Sequence, residues 1–206
     1  MLAGLLSLYG VYLLAAMSPG PAVAYVMRTA VASRALGRRA ALGVATATTL
    51  WVAVAALGLA AAMQASPRSL DLLRLAGGLY FLWLCWTLGR GAASVRAAAD
   101  APDLRPRTAW KAYLQGLAVN AANPGTALFF TGLLGLYEVH RMPAPAQAAV
   151  YLGIPALSAL WYGALALVFS APRLARAYLS ASRVLDAALA LLFLALGLKL
   201  IAALRP

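Results

Sequence analysis

Five stretches of this chain, 1–27, 40–67, 75–89, 112–137 and 142–172, contain no aspartate, glutamate, lysine or arginine. Nothing constrains its folding more, because crossing a bilayer takes about 20 mainly apolar residues and soluble domains do not sustain such runs. A sixth run, Val184 to Leu204, is apolar apart from Asp186 near its start and Lys199 near its end, where a long side chain can reach back to water. The run at 75–89 becomes a full span by drawing in Ser69 to Arg74, with its outer end at the interface. The fold class is therefore an all-α integral membrane protein with six transmembrane helices. Its 64% hydrophobic content over 206 residues supplies about six spans and leaves only short connections.

The connections carry helix-ending signals. Ser66-Pro67, Arg105-Pro106, Met142-Pro143-Ala144-Pro145 and Ala171-Pro172 place prolines where helices should end. The first run lacks the positive segment that opens a cleaved signal peptide, so it reads as a span. Only the connection at 91–110 is long, and its Ala/Arg/Asp composition predicts a short amphipathic or disordered loop. The whole chain, 1–206, is one transmembrane domain: a first half at about 1–90, the loop, and a second half at about 111–206.

Charge sets the orientation and removes other classes. A net charge of +12 invites a nucleic-acid reading. Basic residues gathered in short loops are, however, what membrane orientation alone requires, so no nucleic-acid partner is expected. One side of the six-span arrangement holds twelve Lys and Arg, in the segments Arg28 to Arg39, Arg90 to Lys111 and Arg173 to Arg183. The other side holds Arg68, Arg74, Arg141 and Arg205. The richer side should face the cytoplasm and both termini the periplasm. Cys85 and His140 are each alone, which excludes an intrachain disulfide, a thiolate cluster and an imidazole-lined metal path. No metal or cofactor is expected.

The two halves resemble each other span by span. Ser18-Pro19-Gly20 matches Asn123-Pro124-Gly125 at an offset of 105, Gly43 through Trp51 matches Gly153 through Trp161 at 110, and Arg74 matches Arg183 at 109. Three spans per half is an odd number, so the halves must lie in opposite orientations, as two inverted three-helix repeats. Pro-Gly within helices 1 and 4 should break both, since proline removes a donor and clashes with the preceding turn. Broken backbone at membrane depth is tolerated where it lines a wet cavity or is buried in protein. Two breaks, one per half, point to a shared central site.

The helical segment after each break begins with uncovered N–H groups that suit a carboxylate, and the segment before it ends in carbonyls that suit an ammonium. The candidate substrate residues are Ser18, Pro19, Gly20, Pro21, Thr48, Asn120, Asn123, Pro124 and Gly125. Asn120 and Asn123 share a helical face and could satisfy the broken backbone, bind substrate, or both. Ser18, Thr46, Thr48, Thr49 and Ser158 have the alternative role of bonding the previous turn or gluing helices. Gly43, Gly77-Gly78 and Gly116 read as close helix contacts. Trp83 and Trp86 face lipid or a partner helix, which leaves a homodimer open.

Ser18-Pro19-Gly20-Pro21, Gly37-Arg38-Arg39, Gly43, Trp51 and Gly58-Leu59-Ala60-Ala61 together resemble the first half of the LysE/RhtB family of amino-acid exporters. Leu75-Ala76-Gly77-Gly78-Leu79-Tyr80 is similar to that family's LAGxxYL pattern. Gly116 to Asn120, Asn123-Pro124 and Leu128-Phe129-Phe130 are similar to its GxxxNxxNPKxxLFF pattern, and Gly197-Leu198-Lys199-Leu200 to its ending. The resemblance implies a bacterial inner-membrane exporter of amino acids or close relatives, driven by the proton-motive force. Three positions depart from the family pattern: Ala22 stands in place of Asn, Thr48 in place of Asp, and Gly125 in place of Lys. No ionisable side chain then remains at mid-depth in spans 1, 2, 4 or 5, and Asp186 is the nearest candidate for proton coupling, although it also reads as an interfacial charge near Arg183. A lysine-like cargo would bring a second positive charge with no carboxylate to receive it, so neutral amino acids are the expected substrates.

Two other classes remain. An intramembrane enzyme would use Ser18 as nucleophile with Asp186 or His140 as base, but serine needs a base within hydrogen-bond reach and His140 lies in an outer loop. A membrane scaffold without transport has no need of paired broken helices. The chain is read as a transporter, not an enzyme.

Overall fold

The computed structural model describes residues 2–18, 20–65, 67–90 and 106–204, and among these every regular element is helical. Eight α-helices follow in order: α1 (Leu2–Ala16), α2 (Pro21–Ala32), α3 (Arg34–Ala65), α4 (Pro67–Gly89), α5 (Ala109–Ala121), α6 (Pro124–Leu136), α7 (Ala144–Val168) and α8 (Pro172–Ala202). A single 3-10 turn, Val139–Arg141, separates α6 from α7. Pro19 and most of the loop expected at 91–110 lie outside the described residues.

Four helical segments are long and apolar enough to cross a membrane: Arg34–Ala62, Asp71–Gly89, Ala144–Val168 and Val184–Ala202. Helices α1 and α2 count as a fifth span if taken as one path bent by 63° at the Ser18–Gly20 break. Helices α5 and α6 have 13 residues each, about 20 Å of rise apiece, so neither crosses alone. The helix ends follow from the residues that start them. Pro67 and Pro172 each occupy a first helical position, where the missing N–H costs nothing. Thr108 caps α5 by accepting from the Lys111 N–H at 3.2 Å.

Two helices begin well outside their apolar runs. Helix α3 starts at Arg34 rather than near residue 40, and α8 at Pro172 rather than near 184. Arginine is a good helix former, and the hydropathy pattern marks only the depth of hydrocarbon. Pro155 sits inside α7, which continues through it. Packing against other helices lets a membrane helix tolerate the lost bond.

Helix α3 is the centre of the bundle, packed chiefly on α5 and α7, while α4 packs on α8 and α6. Glycines set these close contacts. A Cβ at Gly43 would stand 2.0 Å from the Tyr113 carbonyl oxygen of α5, and one at Gly116 would stand 2.3 Å from the Ala40 carbonyl oxygen of α3. On the other side of the bundle, a Cβ at Gly77 would meet the Gly132 Cα at 2.7 Å. The core has two parts. The larger joins Leu8 and Tyr12 of α1 to Val52, Phe81, Phe130, Ile154 and Phe193. The smaller gathers Val23, Val26 and Met27 of α2 with Ala40, Val44, Leu165 and Phe169.

Candidate functional site

Both breaks are built from backbone, and each has its last carbonyls supplied with a donor from another helix. At the first, the Ser18 N–H bonds the Ala15 carbonyl and the Gly20 N–H bonds the Ser18 carbonyl at 2.7 Å. Gly20 is extended, with φ −98° and ψ −178°, and Pro21 opens α2. Trp161 of α7 donates its indole N–H to the Ala16 carbonyl at 3.0 Å, and the Tyr178 hydroxyl donates to the Met17 carbonyl. At the second break, Trp51 of α3 donates to the Asn120 carbonyl at 3.2 Å. Trp51 and Trp161 stand 110 residues apart, and each covers a carbonyl in the last turn before a break.

The helix starts beyond the two breaks differ. Asn123 caps α6, its Oδ1 accepting from the Gly125 N–H at 3.0 Å, and its carbonyl takes the Thr126 N–H. Helix α2 has no side-chain cap, because Gly20 occupies that position. The Ala22 and Val23 N–H groups therefore precede the first intrahelical bond, which the Ala24 N–H makes to the Gly20 carbonyl.

Between the breaks lies a knot of buried polar side chains. Thr48 donates to the Val44 carbonyl at 3.2 Å and accepts from Asn120 Nδ2 at 3.1 Å and from the Ser158 hydroxyl at 3.2 Å. Asn120 Nδ2 also donates to the Val44 carbonyl at 3.0 Å, so both of its amide protons are used. Tyr12 brings its hydroxyl beside Thr48 and Ser158. Thr48 and Ser158 are themselves 110 residues apart and meet across α3 and α7. The other hydroxyls behave as helix glue or back-bonds: Thr46 bonds the Leu42 carbonyl at 2.9 Å and Thr49 the Ala45 carbonyl at 3.0 Å.

A cavity of about 470 Å³ joins the two breaks. Of the candidate substrate residues, Ser18, Gly20, Pro21, Thr48, Asn120, Asn123 and Gly125 all line it. Pro19 is not described, and for Pro124 only the backbone start of α6 is. Asp186 is buried at 1% exposure but is not part of the cavity wall. Sequence reasoning missed the aromatic wall, in which Tyr12, Tyr80, Trp83, Phe129, Tyr162 and Phe193 take part. Hydropathy gives no signal that separates a cavity-facing ring from a lipid-facing one. Gly125 has its own tight neighbour: a Cβ there would stand 2.3 Å from the Tyr80 hydroxyl oxygen.

Residues 13–204 match the family described as LysE type translocator. The chain belongs to this family. It is 29% identical over 193 residues to proteins named "Threonine efflux protein" from Salmonella typhi and from Escherichia coli K12, covering 93% of this chain and 94% of each relative. An "Uncharacterized membrane protein" of Haemophilus influenzae is 27% identical over 200 residues, 96% of this chain and 95% of the relative. No solved structure matches. The LysE type translocator described here is thus a multi-pass inner-membrane transporter and not an enzyme.

At the end of the bundle away from Arg34 and Arg38, this translocator carries a charged clasp. Arg74 of α4 reaches Glu138 Oε1 at 2.9 Å and Asp71 at 3.4 Å, and Arg141 reaches Glu138 at 3.2 Å. Glu138 adopts a left-handed conformation, φ 46° and ψ 42°, which is strained for a side-chain-bearing residue. His140 sits beside it with both ring nitrogens buried and without a hydrogen-bond partner among the described residues. Burial, reinforced by the Arg141 guanidinium, lowers its pKa below the ordinary 6.5. The neutral ring is therefore favoured in the folded state. Its stabilising contribution is complete above the unfolded pKa and is lost as pH falls through the lowered folded value. Melting of the wild type should fall more steeply between neutral pH and about pH 5 than melting of His140→Gln. Identical pH dependence in the two would overturn this assignment.

Proposed function

We propose that this translocator exports neutral amino acids or close derivatives from a central site between two broken helices. The observation that carries the reading is that both breaks open into one cavity whose described lining has no Asp, Glu, Lys, Arg or His. A zwitterion fits such a wall, since its two charges can be met by backbone groups. The uncapped Ala22 and Val23 N–H groups of α2 favour the carboxylate there rather than at α6, whose first N–H groups are already bonded. The ammonium is left the Ala16 and Met17 carbonyls of the first break, which keep lone-pair capacity beyond their bonds to Trp161 and Tyr178, and the Ser18 hydroxyl. Three relations support six spans in two inverted repeats: the paired Trp51 and Trp161 bonds, the Thr48–Ser158 contact, and the packing of α3 on α7 and α4 on α8. In this arrangement α5 and α6 form the fourth span and both termini face the periplasm.

Thermal stability of the purified protein across an amino-acid panel tests this reading, because a ligand that binds only the folded state raises the midpoint. Neutral amino acids should raise it and lysine should not. Asn123→Ala removes the α6 cap and should abolish the rise while costing about 1 kcal/mol of stability. A rise with lysine equal to that with neutral amino acids would overturn the reading. Coupling through Asp186 is tested in vesicles: Asp186→Asn should leave binding intact and remove the dependence of export on a proton gradient.

A further inference from the structure

We infer that the cargo of this cavity carries a bulky apolar side chain, and that one face of α4 is the surface that selects it. The inference rests on the central-site reading and names the substrate class for that site. Tyr80, Trp83, Leu84, Thr87 and Leu88 all line the cavity. Their spacing, i, i+3, i+4, i+7 and i+8, is that of a single helical stripe. Tyr80 and Trp83 stack with ring centroids 5.6 Å apart. Thr87 spends its hydroxyl on the Leu84 carbonyl at 3.0 Å, so that it offers the stripe its methyl group. Phe129 and Phe193 also line the cavity and add apolar wall.

Most of the polar groups lie at the breaks, and the stripe adds only the Tyr80 hydroxyl, itself beside Gly125 of the second break, and the Trp83 indole N–H. Thr48 has its hydroxyl proton and both acceptor positions engaged, and both amide protons of Asn120 are taken. The groups left for a ligand at the breaks are Ser18, the Asn123 amide nitrogen, the uncapped start of α2 and the Tyr80 hydroxyl beside Gly125; the Trp83 indole N–H and the Tyr162 hydroxyl are the others in the wall. A zwitterionic head held at the breaks directs its side chain along α4. The available space is large for threonine. A cavity of about 470 Å³ lies within the roughly 300–1,000 Å³ range of sites that hold ligands larger than threonine. Water does not fill the remainder well, because each ordered water needs two to four polar partners and the α4 stripe supplies few. An apolar or aromatic side chain fills it with contacts that water cannot make.

The experiment measures dissociation constants for glycine, threonine, leucine and phenylalanine on the full-length protein in detergent. Phenylalanine and leucine should bind at least tenfold tighter than threonine, and glycine weakest. Leu84→Trp, which fills the stripe, should weaken phenylalanine at least tenfold and threonine by less than threefold. If all four bind with equal affinity, or threonine binds tightest, the side-chain compartment is refuted while the central site stands. If none binds, both fall together. The wild-type series decides the matter even if Leu84→Trp does not fold.

Discussion

Gly43→Leu should yield no folded, monodisperse protein, whereas Gly153→Ala should be tolerated. These two positions are equivalent in the offset of 110 that relates the halves, yet their surroundings differ in kind. At Gly43 an added Cβ would stand 2.0 Å from the Tyr113 carbonyl oxygen and 2.7 Å from the Leu117 nitrogen. Both are backbone atoms of α5, so no rotamer change relieves the clash. Helix α5 must move bodily, and with it go the Asn120 bonds to Val44 and Thr48 and the carbonyl that Trp51 covers. Even Gly43→Ala should cost at or above the roughly 3 kcal/mol upper end for overpacking. At Gly153 the obstacle is the Tyr9 hydroxyl at 2.2 Å, the far end of a side chain that can swing away. Alanine there sacrifices the bond from Tyr9 to the Ala149 carbonyl, about 1 kcal/mol. Size-exclusion profiles and melting midpoints of the two alanine variants measure the contrast. Equal losses at both positions would show that the α3–α5 contact is not the tight one.

That glycine could be named from sequence, and so could much else that depends on one residue's own chemistry. Proline marked the breaks at which α3 and α7 end, the extension of the run at 75–89 back to Ser69 falls within α4, and of the two roles open to Asn123 the structure shows it bonding the broken backbone. The candidate residues near the two breaks were legible because a Pro-Gly pair in an apolar run has few physical meanings. What stayed hidden depends on pairs of distant residues. Trp51 and Trp161 were visible as a repeat, but which carbonyls they bond is a matter of helix rotation and depth. Tyr80 and Trp83 belong to a span whose exposed face also meets lipid, and hydropathy scores both environments alike. The unequal capping of α2 and α6 could have been read from Gly20 against Asn123, since only one of them has an oxygen to offer an N–H.

Thr48→Asp should give the translocator affinity for lysine. The resemblance seen in the sequence implies an aspartate at this position in the family pattern, and the groups now gathered round Thr48 are those a carboxylate requires. Asn120 Nδ2 and the Ser158 hydroxyl already donate to the Thr48 oxygen, and the Tyr12 hydroxyl lies beside it. Only the Val44 carbonyl, which accepts the threonine's own proton, would oppose the change. Three donors meeting one carboxylate lower the cost of burying it. Thr48 also lines the cavity, so the new charge faces the ligand. Two opposite charges about 4 Å apart at an effective dielectric of about 20 attract by about 4 kcal/mol, an upper bound before desolvation is subtracted. A net gain of tenfold to a hundredfold for lysine, about 1.4 to 2.8 kcal/mol, is the expected result. Titrating wild type and Thr48→Asp with lysine and with leucine measures it. Leucine should lose affinity or hold steady, because its side chain has no charge to pair with the new carboxylate. If lysine binds the variant no better than the wild type, cation selectivity in this cavity is set elsewhere than at position 48. A gain for both ligands alike would place the new carboxylate against the ammonium that both share rather than against the lysine side chain, in keeping with a head held between the breaks and a side chain that runs along α4.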